Sequence, residues 1–215
     1  MLSHYTQEAG CLPGQVSEGS LANTLTDILK ISVNLAVRHR DRREIVAAGP
    51  WLSQIDDIAD AFETSTLPAT LGRRLVEAGY AEANATALTA DIVDLAATFT
   101  DIMDTDRVAI RLEVVETDAC RRFHADYVTA RLICTYVGPG TQWLDTRDAA
   151  ALAAGADPQT LTIRQIGTGD VAIFKGRLWS PDAPAVHRSP PIAGTGARRL
   201  VLVMDPAAPA PIAHA

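Results

Sequence analysis

Residues 107–140 read RVAIRLEVVETDACRRFHADYVTARLICTYVGPG, and the reading of this stretch decides the fold. Val108, Ile110, Leu112 and Val114 alternate with Arg107, Ala109, Arg111 and Glu113, the two-residue period of a strand with one apolar face. That strand is expected to lead directly toward Cys120–Asp126. A second strand is expected over 128–137, stopped by the turn residues Gly138-Pro139-Gly140. Downstream, further strands are expected at 160–166, 170–175 and 198–204. Between them stand Gly167-Thr168-Gly169-Asp170, Pro181 to Pro184 and Gly194-Thr195-Gly196. Short strands punctuated in this way predict an antiparallel sandwich or barrel. The expected fold class is α+β: a double-stranded β-helix (jelly-roll) core with N-terminal helices packed on one sheet.

Upstream of residue 106 the chain is Ala-rich and favours helix. Leu88, Ile92, Leu95, Phe99 and Ile102 step by three and four, which places all five on one face of a helix ending near Asp104. Residues 41–62 read as helical, interrupted at Gly49-Pro50 with a restart at Trp51. One early strand is expected, because Ile31, Val33, Leu35 and Val37 alternate with Ser32, Asn34, Ala36 and Arg38. Residues 1–20 and 206–215 carry Gly, Pro, Ser and Ala without periodicity and read as flexible ends of a single domain spanning 21–205.

Composition narrows the function classes. At 215 residues, with 47% hydrophobic and 21% charged residues, the chain is an ordinary globular protein with enough apolar content for a core. Nineteen Lys and Arg against 26 Asp and Glu give a net charge of −7, which argues against a nucleic-acid partner. Cys11, Cys120 and Cys134 are too few and odd in number for a disulfide framework, which fits a reducing compartment. The first residues show no basic and apolar signal pattern, and no run of about 18 apolar residues occurs, so a cytoplasmic protein without a membrane partner is expected.

Of the five histidines, His124 and His187 stand in unusual company. In an extended segment His124 and Asp126 project from one face about 7 Å apart at Cα, so an imidazole and a carboxylate can converge on one ion. His187 follows about 60 residues later, enough chain for several strands. If those strands bring it back, two imidazoles and one carboxylate form the facial set that holds non-haem Fe(II) with open positions. Arg198 and Arg199 open the strand-like run RRLVLVMD. A guanidinium there suits the distal carboxylate of 2-oxoglutarate, and since neighbours on a strand face opposite ways, only one of the pair can serve. Arg198 is the favoured one. Cys120 supplies a rival reading, in which Cys-x3-His-x-Asp with His187 forms a closed zinc site. In a fully extended segment Cys120 lies about 13 Å from His124, so that reading needs a bend, and the alternative is a buried inert thiol. Trp143 after Gly138–Gln142 suits a lip over a pocket or a plain hairpin loop, and Lys175-Gly176-Arg177 suits an anionic substrate at the mouth or a solvated turn.

Phe123-His124-Ala125-Asp126, then Arg131 to Tyr136, Gly169 to Phe174, His187-Arg188 with Pro191, and Gly196-Ala197-Arg198 together resemble the prolyl-hydroxylase-like Fe(II)/2-oxoglutarate dioxygenases. More closely, CRRFHADYVTARLICTYVGPGTQWL with the later FKG and HRSPP resembles the bacterial family named for domain of unknown function 1826, over about residues 28–205. The resemblance implies His124, Asp126 and His187 as metal ligands and Fe(II) and 2-oxoglutarate as cofactors. It also implies Arg198 as co-substrate anchor and Tyr136 or Arg131 as a pocket residue. One departure is the interval of eleven residues from His187 to Arg198, about one longer than the dioxygenase pattern. The family resemblance further implies a link with zinc-responsive gene neighbourhoods, and Cys120 beside the same three residues motivates the alternative expectation, a non-catalytic zinc-binding protein of metal homeostasis using the same site with Cys120. The expected substrate is a small molecule or a protein side chain, and the sequence specifies neither it nor the oligomeric state.

Overall fold

The computed structural model describes residues 14–40, 45, 47, 49–118 and 120–208. Its strands are β1 (Gln15–Gly19), β2 (Val33–Arg38), β3 (Ile58–Glu63), β4 (Arg107–Val115), β5 (Ala130–Val137), β6 (Gln142–Leu144), β7 (Arg164–Gln165), β8 (Val171–Lys175), β9 (Val186–Arg188) and β10 (Arg199–Pro206). Three α-helices accompany them: α1 (Leu67–Glu77), α2 (Glu82–Met103) and α3 (Thr146–Ala153). Seven strands form one sheet in the order β1-β2-β8-β5-β10-β4-β3, and three form a second in the order β7-β6-β9. The β1–β2 pairing is parallel and the other pairings are antiparallel.

Alternation along the central strands assigns the two faces of the large sheet. Leu200, Leu202 and Met204 of β10, Leu132, Cys134 and Tyr136 of β5, and Val108, Ile110 and Leu112 of β4 share a core cluster with Leu71 and Leu75 of α1 and Leu88, Ile92, Leu95 and Phe99 of α2. Each fully buried side chain of this kind contributes roughly 1.5–3 kcal/mol. The intervening positions, Val201 and Val203 of β10, Ile133 of β5, and Ala172 and Phe174 of β8, join a second cluster with Trp143 and Ala185. The space between the two sheets is therefore a separate apolar layer, and it holds the candidate site.

The long helix follows its periodicity: Leu88, Ile92, Leu95 and Phe99 are fully buried, and α2 closes at Asp104, whose φ of 50° turns the chain left-handed. α1 presents Leu67, Leu71 and Leu75 at four-residue spacing, with Pro68 in its first turn.

Several expectations need correction. Residues 58–62 are not helical: Ile58–Glu63 is an edge strand paired with β4. Ile58 and Phe62 are its buried residues, and a separation of four satisfies both the helical and the two-residue period, so the pattern could not discriminate. Pro50–Ser53 is a short 3-10 helix, while 41–44, 46 and 48 lie outside the described residues. β2 begins at Val33, leaving Ile31 94% exposed, and it is covered on both faces because it lies inside the sandwich. The strand expected at 160–166 shrinks to Arg164–Gln165. Within the expected flexible ends, Gln15–Gly19 pairs as a strand and Pro206 closes β10, while 1–13 and 209–215, Cys11 among them, lie outside the described residues. Among the described residues no helix is long and apolar enough to cross a membrane.

Candidate metal centre

The chain between β4 and β5 is irregular, and hydrogen bonds to two later segments fix its path. The Asp118 carboxylate accepts the backbone N–H groups of Ile192 and Ala193, both at 2.8 Å. Ser189 N–H donates to the Cys120 carbonyl at 3.1 Å. His124 and His187 then exchange both backbone bonds at 2.9 Å, an isolated antiparallel bridge. Directly paired residues project to the same face, so this bridge is what sets two imidazoles distant in sequence side by side, their ring centroids 4.8 Å apart. Two residues on, Asp126 returns to that face, and its carbonyl accepts Arg177 N–H at 2.9 Å.

Three ligand-type atoms, one each from His124, Asp126 and His187, lie within 4.8 Å of one another. His124 Nε2 is 3.6 Å from Asp126 Oδ1 and His187 Nε2 is 3.3 Å from Asp126 Oδ2. Each Nδ1 faces a carbonyl oxygen, Arg122 O at 2.8 Å for His124 and Ala185 O at 3.3 Å for His187. A carbonyl accepts only from N–H, so both rings carry a proton on Nδ1 and turn Nε2 toward the carboxylate, where it shares a proton with Asp126 or, as a lone pair, meets a cation. His187 is buried, with the Phe174 ring packed 4.6 Å from it, and His124 is partly open to solvent.

Arg131 adds a cation to this group. Its Nε and Nη2 grip the Asp205 carboxylate at 2.8 and 2.7 Å, and its Nη1 lies 2.8 Å from Asp126 Oδ2, off the hydrogen-bonding direction. Burial pushes the Asp126 carboxyl up, but His124, His187 and Arg131 more than offset this and hold it well below the usual carboxylate range. The hydrogen bond to Asp126 raises the His124 imidazole. Two neutral imidazole nitrogens and one ionised oxygen form the donor set of a divalent cation with coordination positions left open, and these residues fit such an ion.

The remaining candidates are distributed differently from expectation. Arg198 points outward, half exposed, and pairs with Glu116. Arg199 is the one that faces inward: it is 1% exposed, and donates to Pro139 O at 2.7 Å, Ser189 Oγ at 3.1 Å, Thr135 Oγ1 at 3.3 Å and Thr141 Oγ1 at 3.4 Å. All four acceptors are neutral, and among the described residues no carboxylate pairs with it. Burial lowers its guanidinium to about 10. Ser189 lies two residues beyond His187, which places Arg199 one side-chain step from the His124–Asp126–His187 group. Parity along β10 separates the two arginines, but parity alone could not say which face lines the site, because both faces of the strand are buried.

Tyr136 does not line this space. It belongs to the helical face of β5, where its hydroxyl donates to Asp91 Oδ2 at 2.8 Å, beside the ion pair of Arg40 with Asp91 at 2.6 Å. Cys120 is exposed with a φ of 60°, neither buried nor a member of the converging set. The chain bends at this residue, but the three-residue group forms without it. Trp143 pairs in register with His187 across β6 and β9 and is buried in the inter-sheet layer. Asp205, Phe174 and Ser189 were missed by sequence reasoning, since nothing local marks a residue that acts through a distant partner.

Similar solved structures include the dioxygenase for auxin oxidation of rice, 14% identical over 92% of this chain and 83% of that one, with a TM-score of 0.48. A prolyl-4-hydroxylase of Pseudomonas putida is also 14% identical, over 94% of this chain and 100% of that one, with a TM-score of 0.44. No curated protein matches the chain. The family described as "Protein of unknown function (DUF1826)" matches residues 19–205, and the chain belongs to that family.

Proposed function

We propose that this chain is a non-haem Fe(II)- and 2-oxoglutarate-dependent oxygenase on a double-stranded β-helix scaffold, acting on a small molecule or a protein side chain in the cytoplasm. The observation that carries the reading is the coexistence, between the same two sheets, of the His124–Asp126–His187 group and a buried Arg199 whose acceptors are all neutral. A guanidinium held away from water without a counter-charge favours an anion beside it, and a carboxylate meets its planar fork best. When bound, iron and 2-oxoglutarate supply the activation of O2, which no protein side chain provides.

The chain's own residues prepare the site. His124 and His187 offer neutral nitrogen donors whose tautomer the Arg122 and Ala185 carbonyls fix. Arg131, together with the two imidazoles, holds Asp126 ionised and aimed. Arg199 holds the remote carboxylate of the co-substrate, and Ile133, Phe174, Val201 and Val203 exclude water from the layer between, which strengthens that pairing.

Anaerobic loading with Fe(II), calorimetric titration with 2-oxoglutarate, and measurement of succinate after admitting O2 test the reading. One equivalent of 2-oxoglutarate bound only by the metal-loaded protein, with slow succinate release, is expected. A protein that holds zinc and binds no 2-oxoglutarate would replace the oxygenase by the metal-homeostasis reading.

A further inference from the structure

Eight of the fifteen arginines among the described residues have a carboxylate oxygen within 4.0 Å. Of the seven that do not, Arg121, Arg122, Arg177, Arg188 and Arg199 lie on the segments that build the metal centre. Arg199 is internal; the other four belong to the rim. Arg121 and Arg122 are exposed just before His124, whose Nδ1 bonds the Arg122 carbonyl. Arg121 acts on Asp118 only at longer range. Arg188 follows His187, its guanidinium 4.3 Å over the Phe123 ring and its Nε donating to the neutral Gln142 side chain at 2.8 Å.

Arg177 reaches the rim through a glycine. A Cβ on Gly176 would stand 2.0 Å from Val128 O and 3.0 Å from Asp126 O, so only glycine allows the turn after β8 to press against the segment carrying Asp126. The contact is sealed by hydrogen bonds from Gly176, Arg177 and Leu178 N–H to the carbonyls of Thr129, Asp126 and Val128. It leaves Leu178 56% exposed near Tyr127, which is 77% exposed. In a chain of net charge −7, the rim of the metal centre thus concentrates unpaired arginines around an exposed aromatic and an exposed aliphatic side chain. Arginine and tyrosine are residue types that anchor polypeptide interfaces.

We infer that this rim docks an acidic polypeptide segment and so presents a side chain of a protein substrate to the metal. The inference rests on the oxygenase reading for what docking achieves, while the docking itself stands on charge complementarity and exposed apolar surface. The acidic remainder of the molecule repels a long polyanion, whereas a short acidic segment meets only the rim.

Fluorescence anisotropy of the metal-loaded full chain with a fluorescein-labelled decaglutamate peptide tests it, against a neutral Gly/Ser peptide and a ten-nucleotide oligothymidylate. The decaglutamate is expected to bind more tightly than either comparator and more weakly as salt rises. Arg122→Glu with Arg177→Glu is expected to reduce its affinity at least tenfold, whereas Arg73→Glu, which alters a helix-surface pair with Glu77, leaves it unchanged. Equal binding of the neutral peptide, tighter binding of the oligothymidylate, or an equal loss in Arg73→Glu would overturn the inference. Cobalt(II) titration of the same variants separates this failure from that of the metal centre: unchanged cobalt affinity with no peptide preference sinks the docking surface alone.

Discussion

Arg131 is the residue through which the rest of the sheet acts on the candidate metal centre, since one guanidinium spans Asp205 of β10 and Asp126. Arg131→Gln leaves Asp126 free to swing and removes one of the charges that hold it ionised. Its affinity for cobalt(II) is expected to fall roughly 10–100-fold, the usual cost of losing an outer partner of a ligand, with Arg131→Lys intermediate. Calorimetric titration measures this, and unchanged affinity in Arg131→Gln would reduce the pair to a purely structural role. For the two neighbouring arginines the expectation is a contrast. Arg199→Met weakens 2-oxoglutarate binding by roughly 10–100-fold, the worth of a charged hydrogen-bonded pair. Arg198→Ala leaves it unchanged because that side chain serves only Glu116. The two thiols among the described residues divide as sharply. Burial pushes Cys134 up to about 12, which suppresses its thiolate at pH 8, whereas Cys120 is exposed. A chromogenic disulfide reagent is expected to label Cys120 promptly and Cys134 only on unfolding.

At the scale of elements, α2 and the turn after β8 show what a sequence discloses and what it withholds. The five apolar residues of α2 could be read directly, because one helix face against one sheet gives a single unambiguous period. Leu95→Ala is accordingly expected to cost about 2–5 kcal/mol in urea unfolding without altering metal binding. β3 could not be read, since Ile58 and Phe62 fit two periods at once. The site was half legible for a similar reason. His124 and Asp126 share a strand parity that is local, while His187 meets them only through the bridge that the folded topology closes. Gly176 was visible as a turn signal, but its close approach to Val128 O exists only in three dimensions. Gly176→Ala is expected to destabilise by roughly 1–3 kcal/mol, as overpacking does, and also to weaken metal binding by displacing the segment that carries Asp126.

For the whole molecule, the division of labour is between two apolar layers. The helices and the seven-stranded sheet enclose one, which supplies stability; the two sheets enclose the other, into which the charged groups of the centre project. Burial on both faces of the central strands is what makes the fold robust, and it is also why sequence alone could not decide between Arg198 and Arg199. Placing ionisable groups in the second layer is costly unless each finds a partner: Asp126 has Arg131, and a divalent cation is the partner that the two imidazole nitrogens and the carboxylate fit together. The most direct test is a cobalt(II) titration of the untagged protein beside its His187→Ala variant, with circular dichroism to confirm that both are folded. The structure predicts one equivalent bound by the native chain and at least a hundredfold weaker binding by the folded variant; equal affinity in the two would contradict the metal centre.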